Sequence, residues 1–166
     1  MRNPLERYYK SVGTLIVNFN LLEHDMAYAL WALSRINEQH TADIMLGRIR
    51  SFDSLIHLFK QLANQRFKDK ATRRRIKSLA KRLVAVNMRR NDLIHGKWVS
   101  FGSSANIIRF QDRKDEAKWR IVKATPTQIH ASAIQVIRLQ ISFRRFITTI
   151  QKRNDQDRLA RSRKKS

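Results

Sequence analysis

Arg90, Asn91 and His95 are the residues of this sequence whose types and spacing point to chemistry. The apolar residues before them recur at helical spacing, and Arg90 falls at the next inward position of that stripe. An arginine whose spacing places it among core residues needs either an interaction partner for its charge or a functional role. Asn91 and His95 lie four residues apart and therefore on one face of the same helix. A guanidinium, an amide and an imidazole are thus predicted to gather at the end of one helix.

These three groups suit the cleavage of RNA without a metal. Attack of a ribose 2′-OH on the adjacent phosphate needs a base, an acid for the 5′-oxygen leaving group, and positive charge beside the phosphorane. Histidine titrates near neutrality, and arginine offers a planar fork to two phosphate oxygens. We expect Asn91 to hydrogen-bond the His95 imidazole and fix its orientation, and the product to be a 2′,3′-cyclic phosphate.

Two structural alternatives compete with this interpretation. His95 could cap the last carbonyls of its helix, and Arg90 could hold a structural carboxylate such as Glu23 or Asp92.

Five residues of a straight helix turn through roughly 500°, so Arg90 and His95 are expected to point about 140° apart. A two-fold interface that brings in a second Arg90 and His95 would complete the site, which predicts a homodimer as the active unit.

Residues 90–96 read Arg-Asn-Asp-Leu-Ile-His-Gly. This run resembles the signature of the HEPN superfamily, in which an Arg is followed by a polar residue, often Asn, then by three positions and a His near a helix end. The resemblance implies a helical bundle that commonly dimerises, with the Arg and His of both protomers at the interface. Many members are metal-independent RNases of toxin–antitoxin, abortive-infection and CRISPR-associated systems, so a cognate antitoxin protein is a candidate partner. The catalytic residues that it implies are Arg90, Asn91 and His95, and Glu23 resembles an acidic residue of some members.

Four helices are predicted to position this site. An apolar stripe with three-four spacing runs from Val12 to Leu33, and a second stripe follows Ser51, a reasonable N-cap. The third helix is predicted to end near Gly96, and Thr125-Pro126 starts a long fourth helix. Short aromatic and β-branched runs between the third and fourth helices predict an antiparallel ribbon.

The predicted fold is mainly all-α. It is an antiparallel four-helix bundle of HEPN type with a small β-ribbon, about residues 97–123, inserted between the third and fourth long helices. Residues 1–151 are predicted to form a single domain, and residues 152–166 a basic, disordered tail.

The charge of the chain points to a polyanionic partner. The formal net charge is +22 on 166 residues, and residues 66–90 alone hold eleven Lys or Arg against one acid, Asp69. A solvated helix face usually mixes charge signs, and this segment does not. We therefore predict RNA as the partner and a phosphate-binding surface on the third helix and the tail. Its candidate residues are Lys70, Arg73, Arg74, Lys77, Lys81, Arg82, Arg89, Lys97, Arg163, Lys164 and Lys165.

Composition excludes several other classes of function. The chain has no cysteine and only four glycines, which removes thiolate chemistry, Cys-based zinc sites and a Gly-rich phosphate cradle. No His-pair spacing suggests a metal, and no cofactor is predicted. No run is long enough to span a bilayer and the first residues do not form a signal peptide, so we expect a cytoplasmic protein without a membrane partner. The alternative function is a non-catalytic nucleic-acid-binding or assembly module of the same fold.

Overall fold

A computed structural model describes residues 4–34, 47, 49, 51–101, 104–110 and 119–163. The described residues contain four helices: α1 (Pro4–Ser34), α2 (Phe52–Arg66), α3 (Lys70–His95) and α4 (Pro126–Ser162). The described residues are mostly helical, which confirms the predicted all-α class.

The helices begin where the sequence supplies capping groups. The Ser51 side chain accepts a hydrogen bond from the Ser54 backbone N–H at 3.1 Å, which confirms it as the N-cap of α2. Thr125 accepts from the Gln128 N–H at 3.2 Å, and the Gln128 side chain accepts from the Thr125 N–H at the same distance. This reciprocal pair is a capping box, and it places Pro126 at the first position of α4.

Helix α1 begins earlier than the apolar stripe predicts. It starts at Pro4 rather than near Val12, because proline suits a first helical turn and Glu6 complements the positive helix end there. The stripe itself is buried as predicted. Its fully buried members include Leu15, Phe19 and Leu22.

Three strands follow α3: β1 (Lys97–Phe101), β2 (Ser104–Phe110) and β3 (Trp119–Lys123). They pair antiparallel in the order β1-β2-β3. The register sets Trp98 opposite Ile107 and Ile108 opposite Ile121. The sheet thus lies between α3 and α4 along the chain.

The chain divides into two compact units. The first comprises Met1–Asn20 with Ala85–Ile137, and the second Leu21–Val84 with Arg138–Ser166. Helices α1, α3 and α4 each contribute residues to both units.

Each unit buries apolar side chains of its own. In the first unit, Phe19, Leu93 and Ile129 are buried. In the second unit, the Phe59 ring of α2 lies 5.2 Å from Phe143 and 5.8 Å from Phe146 of α4 between ring centroids. Such edge-to-face pairs add to the free energy gained by removing the rings from water.

Helix α4 extends far beyond its predicted end. The disorder predicted for the tail is wrong over residues 152–162, which are helical. Buried Arg66 donates from Nη2 to Asp157 Oδ2 at 2.6 Å and to Asn154 Oδ1 at 2.8 Å, and Asn154 donates to the Ala32 carbonyl at 2.9 Å. These bonds attach the end of α4 to α1 and α2 within the second unit. Arg66 is thereby used inside the protein and does not add to the basic surface.

No helix in the described part of the chain has the length and apolar character that a membrane span requires.

Candidate functional site

The last turns of α3 bring the three predicted catalytic residues together. Arg90 Nη1 donates to Asn91 Oδ1 at 3.1 Å and lies 3.5 Å from His95 Nε2. Arg90 and Asn91 are half-buried, whereas His95 is exposed. A cation, an amide and an imidazole therefore meet at one nitrogen of the guanidinium, at a point open to solvent.

This contact corrects the expectation that Arg90 and His95 of one chain point too far apart to meet. The estimate of about 140° describes the directions of the two Cα–Cβ bonds around the helix axis. The arginine side chain is long enough to run along the helix, and His95 is the last residue of α3, so the guanidinium reaches the imidazole. A single chain thus assembles an Arg–His pair.

Phe19 explains how an arginine is accommodated on the inward stripe of α3. The Arg90 guanidinium carbon lies 5.3 Å from the centroid of the buried Phe19 ring. A cation over an aromatic face gains about 0.5–2 kcal/mol, and the aliphatic stem of arginine packs among apolar groups. Arg90 is therefore supported by α1 while its Nη1 faces Asn91 and His95.

The described hydrogen bond of Asn91 goes to a different side chain from the one that the sequence suggests. The sequence suggests that its amide orients the His95 imidazole, but its described hydrogen bond is to Arg90. The amide oxygen accepts from Arg90 Nη1, the same nitrogen that lies 3.5 Å from His95 Nε2. Asn91 therefore positions the cation.

A hydrogen bond from Arg90 to His95 would fix the tautomer of the histidine. Every guanidinium nitrogen is a donor, so a hydrogen bond to Nε2 requires the lone pair on that nitrogen, with the ring proton on Nδ1. In that geometry the guanidinium occupies the Nε2 lone pair, so Nε2 is accessible to another group only when Arg90 moves away.

Other groups occupy the carbonyls at the end of α3. The Gly96 N–H donates to the Asp92 carbonyl at 3.1 Å, and the Trp98 indole Nε1–H donates to the Leu93 carbonyl at 3.0 Å. Orphan carbonyls at a helix end need such donors. His95 is described in contact with Arg90 instead, so its side chain is turned toward the guanidinium.

Trp98 is a residue whose placement the sequence does not reveal. It sits in β1, and its indole nitrogen folds back onto the last turn of α3, where Tyr8 of α1 meets the ring edge to face at 6.2 Å. Its aromatic type suggests stacking or ribbon packing, but only the structure places it beside the helix that carries His95.

Glu23 and the predicted basic residues outside positions 70–82 lie in different elements of the chain or outside the described residues. Glu23 is half-buried on α1 and belongs to the second compact unit, whereas Arg90, Asn91 and His95 belong to the first. Arg89 is half-buried with Nε 3.4 Å from Ser132 Oγ, and Lys97 is exposed at the start of β1. Arg163 is exposed after α4, and Lys164 and Lys165 lie outside the described residues.

The remaining basic candidates are exposed on α3 within the second unit. Four of them form what we name the α3 basic stripe, because helical spacing places them on one face: Lys70, Arg74, Lys77 and Lys81. Arg73 and Arg82 flank the stripe and are partly engaged. The Arg73 Nε–H donates to the Phe67 carbonyl at 3.1 Å, and Arg82 Nη1 lies 3.4 Å from Ser142 Oγ.

The site offers donors and a proton acceptor rather than a metal cage. Within the described ranges, no group of three or more His, Asp or Glu side chains is arranged to hold a metal ion. Comparison of the chain with protein-family models, curated proteins and solved structures finds no match.

Proposed function

We propose that this chain is a HEPN-like, metal-independent endoribonuclease in which Arg90 and His95 meet the phosphodiester and Asn91 positions Arg90. The proposed fold is a four-helix bundle of HEPN type in which the strands between α3 and α4 are an insertion. The single observation that supports the activity best is the approach of Arg90 Nη1 to both Asn91 Oδ1 and His95 Nε2 at a solvent-exposed helix end.

The proposed reaction is transfer of the phosphodiester to the neighbouring 2′-oxygen. In the proposed complex the phosphate draws the Arg90 guanidinium away from His95, which frees the Nε2 lone pair. Nε2 then takes the proton of the ribose 2′-OH, the 2′-oxygen attacks phosphorus, and the bond from phosphorus to the 5′-oxygen breaks. The departing oxygen gains a proton, and the products are a 2′,3′-cyclic phosphate and a 5′-OH. The Arg90 guanidinium binds the non-bridging oxygens, whose negative charge grows in the transition state.

A homodimer remains part of this proposal for a chemical reason. One imidazole that has just accepted a proton on one side of phosphorus is badly placed to donate at once to a leaving group on the other side. His95 of a second copy would serve as that acid, as the resemblance to dimeric HEPN proteins implies. A cognate antitoxin protein is a further partner that only the resemblance suggests.

The test is cleavage of RNA in the presence of EDTA. The wild type is expected to release fragments with 2′,3′-cyclic phosphate ends, and His95→Ala is expected to lower the single-turnover rate by about a hundredfold or more. His57→Ala, which changes an exposed histidine of α2, is the matched control and should cleave like the wild type. Unchanged cleavage by a folded His95→Ala protein would remove the catalytic assignment.

The second candidate function is nucleic-acid binding without cleavage. The α3 basic stripe favours it, because four exposed cations on one helix face suit phosphates whether or not a bond is cut. RNA that is bound with a steep salt dependence but recovered intact would establish this function instead.

A further inference from the structure

Trp98 is held in place while much of its surface faces solvent. Its indole Nε1–H donates to the Leu93 carbonyl at 3.0 Å, and its ring meets Tyr8 at 88° between planes. Trp98 is nonetheless 39% exposed. Burial of a large aromatic side chain is favourable, so this exposed surface is available to a ligand. An aromatic ring that is both anchored and accessible loses little conformational entropy when a flat ligand stacks on it.

The anchor of Trp98 attaches its ring to the last turn of α3, the turn that also carries His95. Leu93 lies two residues before His95 on the last turn of α3, and both belong to the same compact unit. When a phosphate binds Arg90 and His95, the adjoining ribose carries its base close to the end of α3. Every nucleobase has a flat face, so an aromatic side chain here can bind a base without reading its sequence.

We propose that Trp98 stacks on the nucleobase of a nucleotide that adjoins the scissile phosphate. This inference rests on the proposed function and specifies its substrate class as RNA with unpaired bases, because a base inside a duplex has no free face for the indole. Trp98 acts as a positioning residue: it holds the nucleotide so that the 2′-OH approaches His95, and it takes no part in proton transfer.

Binding can be measured separately from cleavage with a ligand that lacks the 2′-OH. Oligodeoxyadenylate is compared with an abasic deoxyribose-phosphate chain of the same length, both with the full-length protein. The wild type is expected to prefer the base-bearing ligand, and Trp98→Leu to lose about tenfold in affinity for it while keeping its affinity for the abasic chain. Trp98→Phe keeps a ring but loses the N–H anchor, so its affinity should lie between those two proteins.

Fluorescence gives a second readout that does not depend on the Leu variant folding. Stacking on adenine should quench tryptophan emission in the wild type and in Trp31→Phe, whose tryptophan lies in the second unit. The quench should be absent in Trp98→Phe. A quench that persists in Trp98→Phe, or a Trp98→Leu protein that weakens for both ligands alike, would overturn the stacking role.

The outcomes separate this inference from the nuclease proposal. Trp98-dependent preference for bases together with uncut RNA would disprove cleavage and leave the base contact in place. Cleavage that is abolished by His95→Ala but unaffected in rate and KM by Trp98→Leu would keep the nuclease and remove the contact. If the wild type binds neither ligand, the stacking inference fails, and the cleavage of RNA in EDTA still decides the nuclease proposal.

Discussion

Arg90 is the residue on which the candidate site depends. Its guanidinium lies over Phe19, donates to Asn91 and approaches His95, so three neighbours fix the direction of one cation. Pre-ordered donors stabilise developing negative charge without reorganising when the reaction occurs. A lysine ammonium lacks the planar fork of donors that a guanidinium offers, so the two side chains are not interchangeable at such a site.

Because Asn91 contacts Arg90, we expect it to act through that arginine. Asn91→Ala is expected to lower the single-turnover rate of RNA cleavage about tenfold, and Arg90→Ala about a hundredfold or more. The double variant should be no slower than Arg90→Ala alone, because the amide has nothing to position once the guanidinium is gone.

The matched control for this cycle is Asn64→Ala, an exposed asparagine of α2, which should cleave at the wild-type rate. Losses from Asn91→Ala and Arg90→Ala that multiply in the double variant would instead show that Asn91 meets the substrate directly.

Helix α3, the element that carries the site, begins at a charged N-cap. Asp69 Oδ1 accepts a hydrogen bond from the Thr72 N–H at 2.7 Å, and hydrogen bonds from the Thr72 backbone and side chain lower the pKa of Asp69 below its ordinary value of 3.8. A carboxylate at this end of a helix also complements the helix dipole. The ionised form is therefore the one that stabilises the fold.

We expect Asp69→Ala to lower the Tm at neutral pH, because the Thr72 N–H loses its partner. The lowered pKa contributes stability that is fully present above 3.8 and is lost as the pH falls through the folded-state value. The Tm difference between wild type and variant should thus shrink in acid, as thermal denaturation at neutral pH and near pH 3 would show. Asp155→Ala, which changes an exposed acid of α4, is a comparison for the loss of an acidic side chain. A Tm difference that stays constant with pH would contradict the role of the ionised cap.

The elements differ in how far the sequence predicts them. Ser51 and Thr125 predict the starts of α2 and α4 because N-capping is a local interaction. The structure confirms both residues as N-caps. The continuation of α4 to Ser162 depends on Arg66 finding Asp157, a partner 91 positions away that no local pattern reveals.

In the candidate site too, the sequence predicts what depends on local spacing and does not predict what depends on distant contacts. Helical spacing places Arg90, Asn91 and His95 at one helix end without any knowledge of the fold. The reach of the guanidinium to His95 and its support by Phe19 depend on side-chain conformation and on packing between α1 and α3. The same holds for the fold of Trp98 back onto α3, which requires β1 to turn against the helix.

Across the molecule, the excess of positive charge is spread unevenly, and the structure shows which of it is accessible. Arg66 is neutralised by Asp157, and Arg144 donates to Asp25 at 2.7 Å, a bond that raises the pKa of Arg144. The α3 basic stripe, in contrast, consists of four exposed cations in successive turns. A net charge of +22 attracts polyanions to the whole surface. An ordered row of cations would in addition fix the position and orientation of a bound phosphate backbone.

The salt dependence of RNA binding tests whether that row is a binding surface. Each cation that neutralises a phosphate of a single strand contributes about 0.7 to the slope of log affinity against log salt concentration. Changing all four residues of the α3 basic stripe to glutamine should therefore make the slope shallower by about 3 and weaken binding at low salt. The control removes four exposed charges from other positions, namely Lys60, Arg138, Arg145 and Lys152. If both variants lower the slope equally, RNA is held by the diffuse charge of the molecule and the stripe has no special role.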